Sequence, residues 1–206
     1  MIIKEIVQNG SVIDEVADIH ISTFSGFFLT FMGRGFLKVM YESYCEYDKA
    51  GIIGMFDENE RLVGFLSYSG DMSGLYKYMI KKKLPLFAWY SISAFFRKPK
   101  IFIRLLRAFL KPGESKRDED YIELSSIGVK PEYKAMGIGT QLIDYLKELV
   151  DFKEYKYINL ETDAVNNEKV NSFYKKNGFV LTRTYETAEQ RKMNEYRFYQ
   201  EDKAPV

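Results

Sequence analysis

Apolar and polar positions alternate along this chain in two rhythms, and each rhythm predicts an element. "MIIKEI" at the start reads as a first strand. In "SVIDEVADIHISTF", Val12, Val16 and Ile19 recur at helical spacing, with Ser11 as N-cap and Asp14 and Glu15 in the first turn. "GRGFLKVMYESYCEY" reads as a second helix, with Phe36, Leu37, Met40 and Tyr44 on one face. "GIIGMFDENERLVGFLSYSG" is two β-rich runs joined by a polar tip, a hairpin. "YIELSSIGV" is a strand of mixed periodicity, as a central strand should be. A glycine turn and a helix to about Val150 follow, then the strand "YKYINLETD". "NNEKVNSFYKKNG" is a helix with Asn166 or Asn167 near its cap and Gly178 just past its end. "FVLTRTYE" and "MNEYRFYQ" close the chain as an antiparallel pair. No repeat, low-complexity run or linker interrupts the order, so 1–206 reads as a single domain.

Composition changes this picture in three places. The chain carries 16 Phe and 16 Tyr, so aromatic surfaces should line something. Cys45 is alone, which excludes an internal disulfide and fits a reducing compartment. The net charge of +1 conceals an asymmetry: Lys77–Arg117 holds twelve Lys or Arg against Glu114 alone, so this segment is +11 and the remainder −10. The start, "MIIKEIVQNG", lacks the pattern of a signal peptide, and no apolar run reaches the roughly 18 residues of a spanning helix. The expected address is cytoplasmic.

"PEYKAMGIGTQLIDYL" carries the most chemistry. Gly137 and Gly139 stand at the mouth of a good helix, where each lowers helix propensity by about 1 kcal/mol. A strand, a tight glycine turn and a helix start form an anion site, because the first N–H groups of the helix have no partner inside it. Glycine lets phosphate oxygens reach that backbone. A dinucleotide fingerprint is excluded by Leu142 in place of the third glycine, and a P-loop by the missing Gly-Lys-Ser/Thr. A pyrophosphate on a Gly-x-Gly turn remains, beside a close helix–strand crossing that merely needs small residues.

The flanks resemble a known family. "VKPEYKAMGIGT" is similar to the acetyl-CoA-binding stretch of the GCN5-related N-acetyltransferases: Val129, Pro131, Tyr133, Gly137, Ile138 and Gly139 match, and Lys134 replaces a Gln or Arg. "NEKVNSFYKKNGF" resembles the family's second signature through Asn167, Phe173, Tyr174, Gly178 and Phe179, with Val170 in place of a small residue. The resemblance implies an α/β fold: a mixed, mostly antiparallel seven-stranded sheet with helices on both faces. That sheet would be splayed between strands four and five, Tyr121–Val129 and Tyr155–Asp163. Acetyl-CoA, the implied co-substrate, would lie in the opening. Its pantetheine arm would meet the backbone of Ile127 and Val129, and its pyrophosphate the N–H groups of Met136, Gly137, Ile138, Gly139 and Thr140, with Lys134 and Asn167 alongside. No metal is implied.

The resemblance also implies the reaction, direct attack of an amine on the thioester. A typical alkyl amine is protonated at neutral pH, with a reference pKa of about 10.4, so a base is needed. Glu123 stands eleven residues before Lys134, the spacing of the general-base glutamate in histone-acetylating members; the alternative is an ordinary strand glutamate. Tyr174 matches the tyrosine that gives a proton or hydrogen bond to the leaving sulfur; the alternative is a core tyrosine. His20, Phe27 and Phe28 fall where members wall the acceptor site, and equally could be packing residues.

The basic segment, at about 75–118, stands where members join strands three and four by a short turn. It reads as a helical insertion, with "LPLFAWYSISAFF" and "IFIRLLRAFL" as helices over the acceptor side and Lys81–Lys83, Arg97, Lys98 and Lys100 exposed. It could meet an anionic membrane surface peripherally, cover a negatively charged acceptor, or form a homodimer contact. No nucleic-acid motif accompanies the charge. The expected function is N-acetyl transfer to a small-molecule amine such as an amino sugar or nucleotide sugar. The alternative is a catalytically silent acyl-CoA-binding module on the same fold.

Overall fold

A computed structural model describes residues 1–7, 9–24, 28–97, 99, 119–187 and 190–200. The predicted hairpin forms its middle. β2 (Ala50–Phe56) and β3 (Leu62–Ser69) are buried almost without a break, because helices cover both faces. Ile52, Phe56, Leu62 and Phe65 pack under one helical layer, and Ile53, Met55, Val63 and Leu66 under the other. β1 (Ile2–Glu5) pairs antiparallel with β2 at the edge. Among the described residues the sheet has seven strands in the order β1-β2-β3-β4-β5-β7-β6. β4 is Ile122–Val129, β5 Ile158–Asp163, β6 Val180–Glu186 and β7 Lys192–Phe198. β4 and β5 run parallel, and the other neighbours antiparallel.

One layer holds α1 (Gly10–Thr23), the short α2 (Phe28–Met32), α3 (Arg34–Glu46) and α4 (Met72–Arg97). α1 begins earlier than its sequence signal. Asn9, not Ser11, is the cap: its side-chain oxygen accepts from the Ser11 N–H at 3.2 Å. Asp14 and Glu15 therefore leave the first turn. Asp14 instead pairs with Arg34 at 3.1 Å and Lys38 at 3.0 Å, and Glu15 accepts from the Leu62 N–H at 3.1 Å. These bonds fasten α1 to α3 and to the sheet.

α4 starts three residues after β3. The Asp71 carboxylate caps it, accepting from the Gly74 N–H at 2.8 Å. The helix absorbs the first apolar run of the basic segment whole, with Pro85 inside it. Leu75, Met79, Phe87 and Ser91 form its buried row, every fourth or eighth residue. Lys83 falls in the same row. It is not exposed as expected, because its ammonium lies 2.7 Å from Glu46 and 3.8 Å from Glu42 on α3. Lys81 and Lys82 do face solvent. The side chain of Arg97, together with Lys98, Lys100 and the second apolar run, lies outside the described residues. The opposite layer is α5 (Ile138–Leu149) and α6 (Glu168–Lys176).

Candidate active site

β4 and β5 pair only at their starts. Ile122 faces Ile158 and Glu123 faces Asn159, and no further pair forms. Beyond that rung β4 stays bonded to β3 alone, so a gap opens between β4 and β5. The groups lining it follow from the ladder. The Lys130 N–H donates to the Val63 carbonyl at 2.9 Å. Bonding alternates along an antiparallel pair, so Ile127 and Val129 turn their N–H and C=O away from β3, into the gap. This edge can pair with an extended amide-bearing arm. The Thr23 hydroxyl reaches the Val129 carbonyl from α1 at 3.4 Å.

Past β4 the chain makes a 3₁₀ turn at Pro131–Tyr133, then enters α5 through two left-handed residues, Ala135 (φ 63°) and Gly137 (φ 76°). The Lys134 N–H already donates to the Pro131 carbonyl at 3.3 Å, so the free row begins after it. The first helical bond is Gln141 N–H to the Gly137 carbonyl at 3.0 Å. The N–H groups of Met136, Gly137, Ile138, Gly139 and Thr140 make no hydrogen bond to a described residue, and no side chain caps the helix. That is a five-donor cradle at a positive helix end, a place suited to an anion.

The two glycines have different reasons. At Gly137 a Cβ would stand free, 3.8 Å from the Gln141 amide, but the left-handed φ disfavours any L side chain. At Gly139 a Cβ would lie 3.0 Å from the Phe173 ring, which α6 brings against the start of α5. One glycine shapes the turn. The other lets α6 close on α5.

Glu123 and Tyr174 lie on opposite faces of the sheet. Glu123, half-buried, accepts from the Asn159 amide at 2.8 Å. Its charge is felt by Tyr44 of α3 and Tyr76 of α4. Burial, then that charge, pushes the Tyr76 hydroxyl up to about 12. Ser125 is on the same side, its hydroxyl 3.5 Å from the Met72 sulfur. Tyr174 faces the α5 layer with Leu124, Ile138 and Leu160. Its ring packs on Phe179 and Tyr196, and its hydroxyl bonds no described residue. Burial pushes that hydroxyl above its ordinary value, so it stays protonated and can only donate to an anion.

Asn167 ties the β5–α6 corner, donating to the Thr162 hydroxyl at 2.8 Å and the Asp163 carbonyl at 3.1 Å. His20 is only 3 % exposed. Its Nδ1 is 2.7 Å from the Tyr41 hydroxyl, and Nε2 meets no partner among the described residues. Burial lowers it to about 4, so it is neutral. That places His20 in the core beneath the site. Phe27 lies outside the described residues, and Phe28 opens α2.

Asn159, Tyr76, Tyr44 and Ser125 were not singled out from sequence. Asn159 did leave a signal, an amide set between Ile158 and Leu160 in an apolar strand. A surface depression lined by Lys147, Phe152 and Phe198 lies at the far end of α5 and takes no part in the site. Among the described residues no group of three or more His, Cys, Asp or Glu is placed to hold a metal.

An open β4–β5 edge leading to an uncapped helix start defines a class, and the sequence agrees with it. The model of the acetyltransferase (GNAT) family matches residues 14–179, so the chain belongs to that family of acyl-transferring enzymes. Solved structures share the fold at low identity. An aminoglycoside 6'-acetyltransferase type Ii is 17% identical with a TM-score of 0.63, over 100% of this chain and 99% of that one. An aminoglycoside 6'-N-acetyltransferase complexed with coenzyme A is 15% identical with a TM-score of 0.59, over 100% and 99%. The ribosomal-protein-S18-alanine N-acetyltransferase from Escherichia coli is 10% identical with a TM-score of 0.56, over 96% and 94%. No curated protein sequence matches the chain.

Proposed function

We propose that this enzyme moves the acetyl group of acetyl-CoA to the amine of a small molecule of the amino-sugar class, by direct attack. The observation that carries this reading is the gap itself. Its β4 edge offers the backbone of Ile127 and Val129, and it ends on the unpartnered N–H row from Met136 to Thr140. The first would hold the amide-bearing arm and the second the pyrophosphate, while the bound thioester supplies an activated acetyl group. A coenzyme A complex of a structurally similar aminoglycoside acetyltransferase supports the assignment.

The chain's own groups then divide the proton work by face. Glu123, held by the Asn159 amide, takes the proton from the acceptor amine on the α3/α4 face. Tyr174 donates to the sulfur from the α5 face. Full transfer from a tyrosine near 10 to a thiolate near 8.5 is uphill by roughly 2 kcal/mol, and burial raises Tyr174 further, so its part is a strong hydrogen bond rather than a completed transfer. Tyr44, Tyr76 and Ser125 stand behind Glu123 on that face as buried or half-buried hydroxyls.

The test is release of free CoA thiol with a panel of amines. Tyr174→Phe should lower kcat more than it raises the KM for acetyl-CoA, because the lost bond forms as the thiolate develops. Glu123→Gln should slow the reaction most near neutral pH and recover partly at high pH, where free amine is already present. A Glu123→Gln enzyme with wild-type rates at every pH would remove Glu123 as the base. No thiol release with any amine, alongside tight acetyl-CoA binding, would favour a silent binding module.

A further inference from the structure

The acyl-transfer site leaves the outer face of α4 unused, and that face is unlike the rest of the surface. Trp89 is 70% exposed and Phe96 78% exposed. With Pro85 and Ile92, also exposed, they stand at helical spacings of four, three and four residues, so they form one ridge. The ridge lies opposite the row of Phe87 and Ser91 that packs against the body. Leu86, also exposed, flanks it on one side. Along the axis the ridge is graded. Its first part carries the exposed Lys77, Lys81 and Lys82, and its second part, about 16 Å of helix from Pro85 to Phe96, carries the apolar side chains. From Met72 to Arg97 there is no acidic residue.

We propose that this ridge seats the enzyme on an anionic bilayer surface. Trp89, Ile92 and Phe96 enter the boundary between headgroups and acyl chains, and Lys77, Lys81 and Lys82 meet the lipid phosphates. The helix lies on the membrane and does not cross it: among the described residues no helix is long and apolar enough to span. The grading tilts α4 so that its distal end sits deeper.

Charge decides between a bilayer and a second copy of the chain. In a two-fold crossing centred on Trp89, the lysines of one α4 would lie over the Phe96 end of the other. They would lose water there with no carboxylate to meet them. The α3 carboxylates that reach α4, Glu46 and Glu42, already meet Lys83, and Glu46 also accepts from the Tyr78 hydroxyl. An anionic bilayer gives both halves of the ridge a partner.

Trp89 is the only tryptophan, so its emission reports directly on the ridge. The full chain would be mixed with extruded vesicles of phosphatidylglycerol and phosphatidylcholine, and with vesicles of phosphatidylcholine alone. The anionic vesicles should shift the emission to the blue and sediment the protein. Partition should weaken at least tenfold in Lys81→Glu/Lys82→Glu and, by sedimentation, in Trp89→Ser/Phe96→Ser. Salt at 1 M, where the Debye length is about 3 Å, should weaken it as well. The proposal is overturned if anionic vesicles neither shift nor sediment the protein, or if neutral vesicles do so equally well. It is also overturned if the blue shift grows with protein concentration in the absence of lipid, which would make the ridge a contact between two copies.

Discussion

Gly137→Val separates the cradle from the fold. Gly137 caps α5 at φ 76° and ψ 3°, and a side chain there would meet nothing closer than the Gln141 amide at 3.8 Å. Space is therefore not the obstacle. The obstacle is the left-handed backbone, which costs an L residue about 1–2 kcal/mol and a β-branched one more. The chain can keep the geometry and lose that stability, a fall in Tm of roughly 2–4 °C per kcal/mol for a chain of this size. Or it can rotate the peptides beside residue 137, which turns the Gly137 or Ile138 N–H out of the cradle. A hydrogen bond to a charged group is worth about 1.5–3 kcal/mol, so losing one weakens acetyl-CoA binding by about ten- to hundredfold. Calorimetric titration with acetyl-CoA, beside a thermal melt, reads both quantities. A folded Gly137→Val enzyme with unchanged affinity and a melt within about 1 °C of wild type would refute the reasoning, because strain of that size must appear in one or the other.

Two further predictions concern the helical layer. Burial holds His20 at about 4, below its ordinary value near 6.5, so its neutral form is favoured by folding. That contribution is complete above about pH 6.5 and is lost as pH falls toward 4, for about 3 kcal/mol in all. Urea midpoints from pH 7 to pH 4 should fall less steeply in His20→Gln than in wild type, and identical slopes would remove His20 from the acid response. At Gly35 a Cβ would overlap the Tyr90 ring, so this glycine lets the distal half of α4 lie on α3. Gly35→Ala should cost about 1–3 kcal/mol in denaturant unfolding. The cost should largely vanish in a Tyr90→Ala background, and an unchanged cost there would place its cause elsewhere.

How much of this was legible in the sequence varied with how local each cause is. Strands buried on both faces read as unbroken apolar runs, so β2 and β3 were visible from their residues. The cap of α1 was legible only to within a turn. Asn9 and Ser11 are both capping types, and the choice was made by the extended backbone at Asn9. The first apolar run of the basic segment was read apart from the residues before it. The packing of Leu75, Met79, Phe87 and Ser91 on α3 instead carries one helix from Met72 through Pro85. The glycine pair was read as a pyrophosphate turn or as a close helix–strand crossing, but Phe173 of α6 lies more than thirty residues from Gly139, and no local pattern shows that they touch. The same holds for Asn159 against Glu123, and for Tyr76 near it. Sites assembled across a sheet depend on register, which a one-dimensional pattern does not state.

The mixed periodicity of β4 shows what register adds. Read as a sequence, "YIELSSIGV" has the irregular alternation of a central strand. In the sheet the irregularity has a specific source. Ser67 pairs with Ser126 and Tyr68 with Leu124, so Ser125 is an extra residue, a bulge. In an unbroken strand Glu123, Ile127 and Val129 would share one face and one bonding direction, because the period is two. Glu123 would then face the α3/α4 layer only if Ile127 and Val129 did too, with their backbone groups spent on β3. The extra residue breaks that tie. Before it, Glu123 points to the layer of Tyr44 and Tyr76. After it, Ile127 and Val129 pack under α5 and turn their N–H and C=O into the gap. One inserted serine thus lets a single strand present a carboxylate on one face and an unpaired backbone edge to the gap. The proposed chemistry needs both.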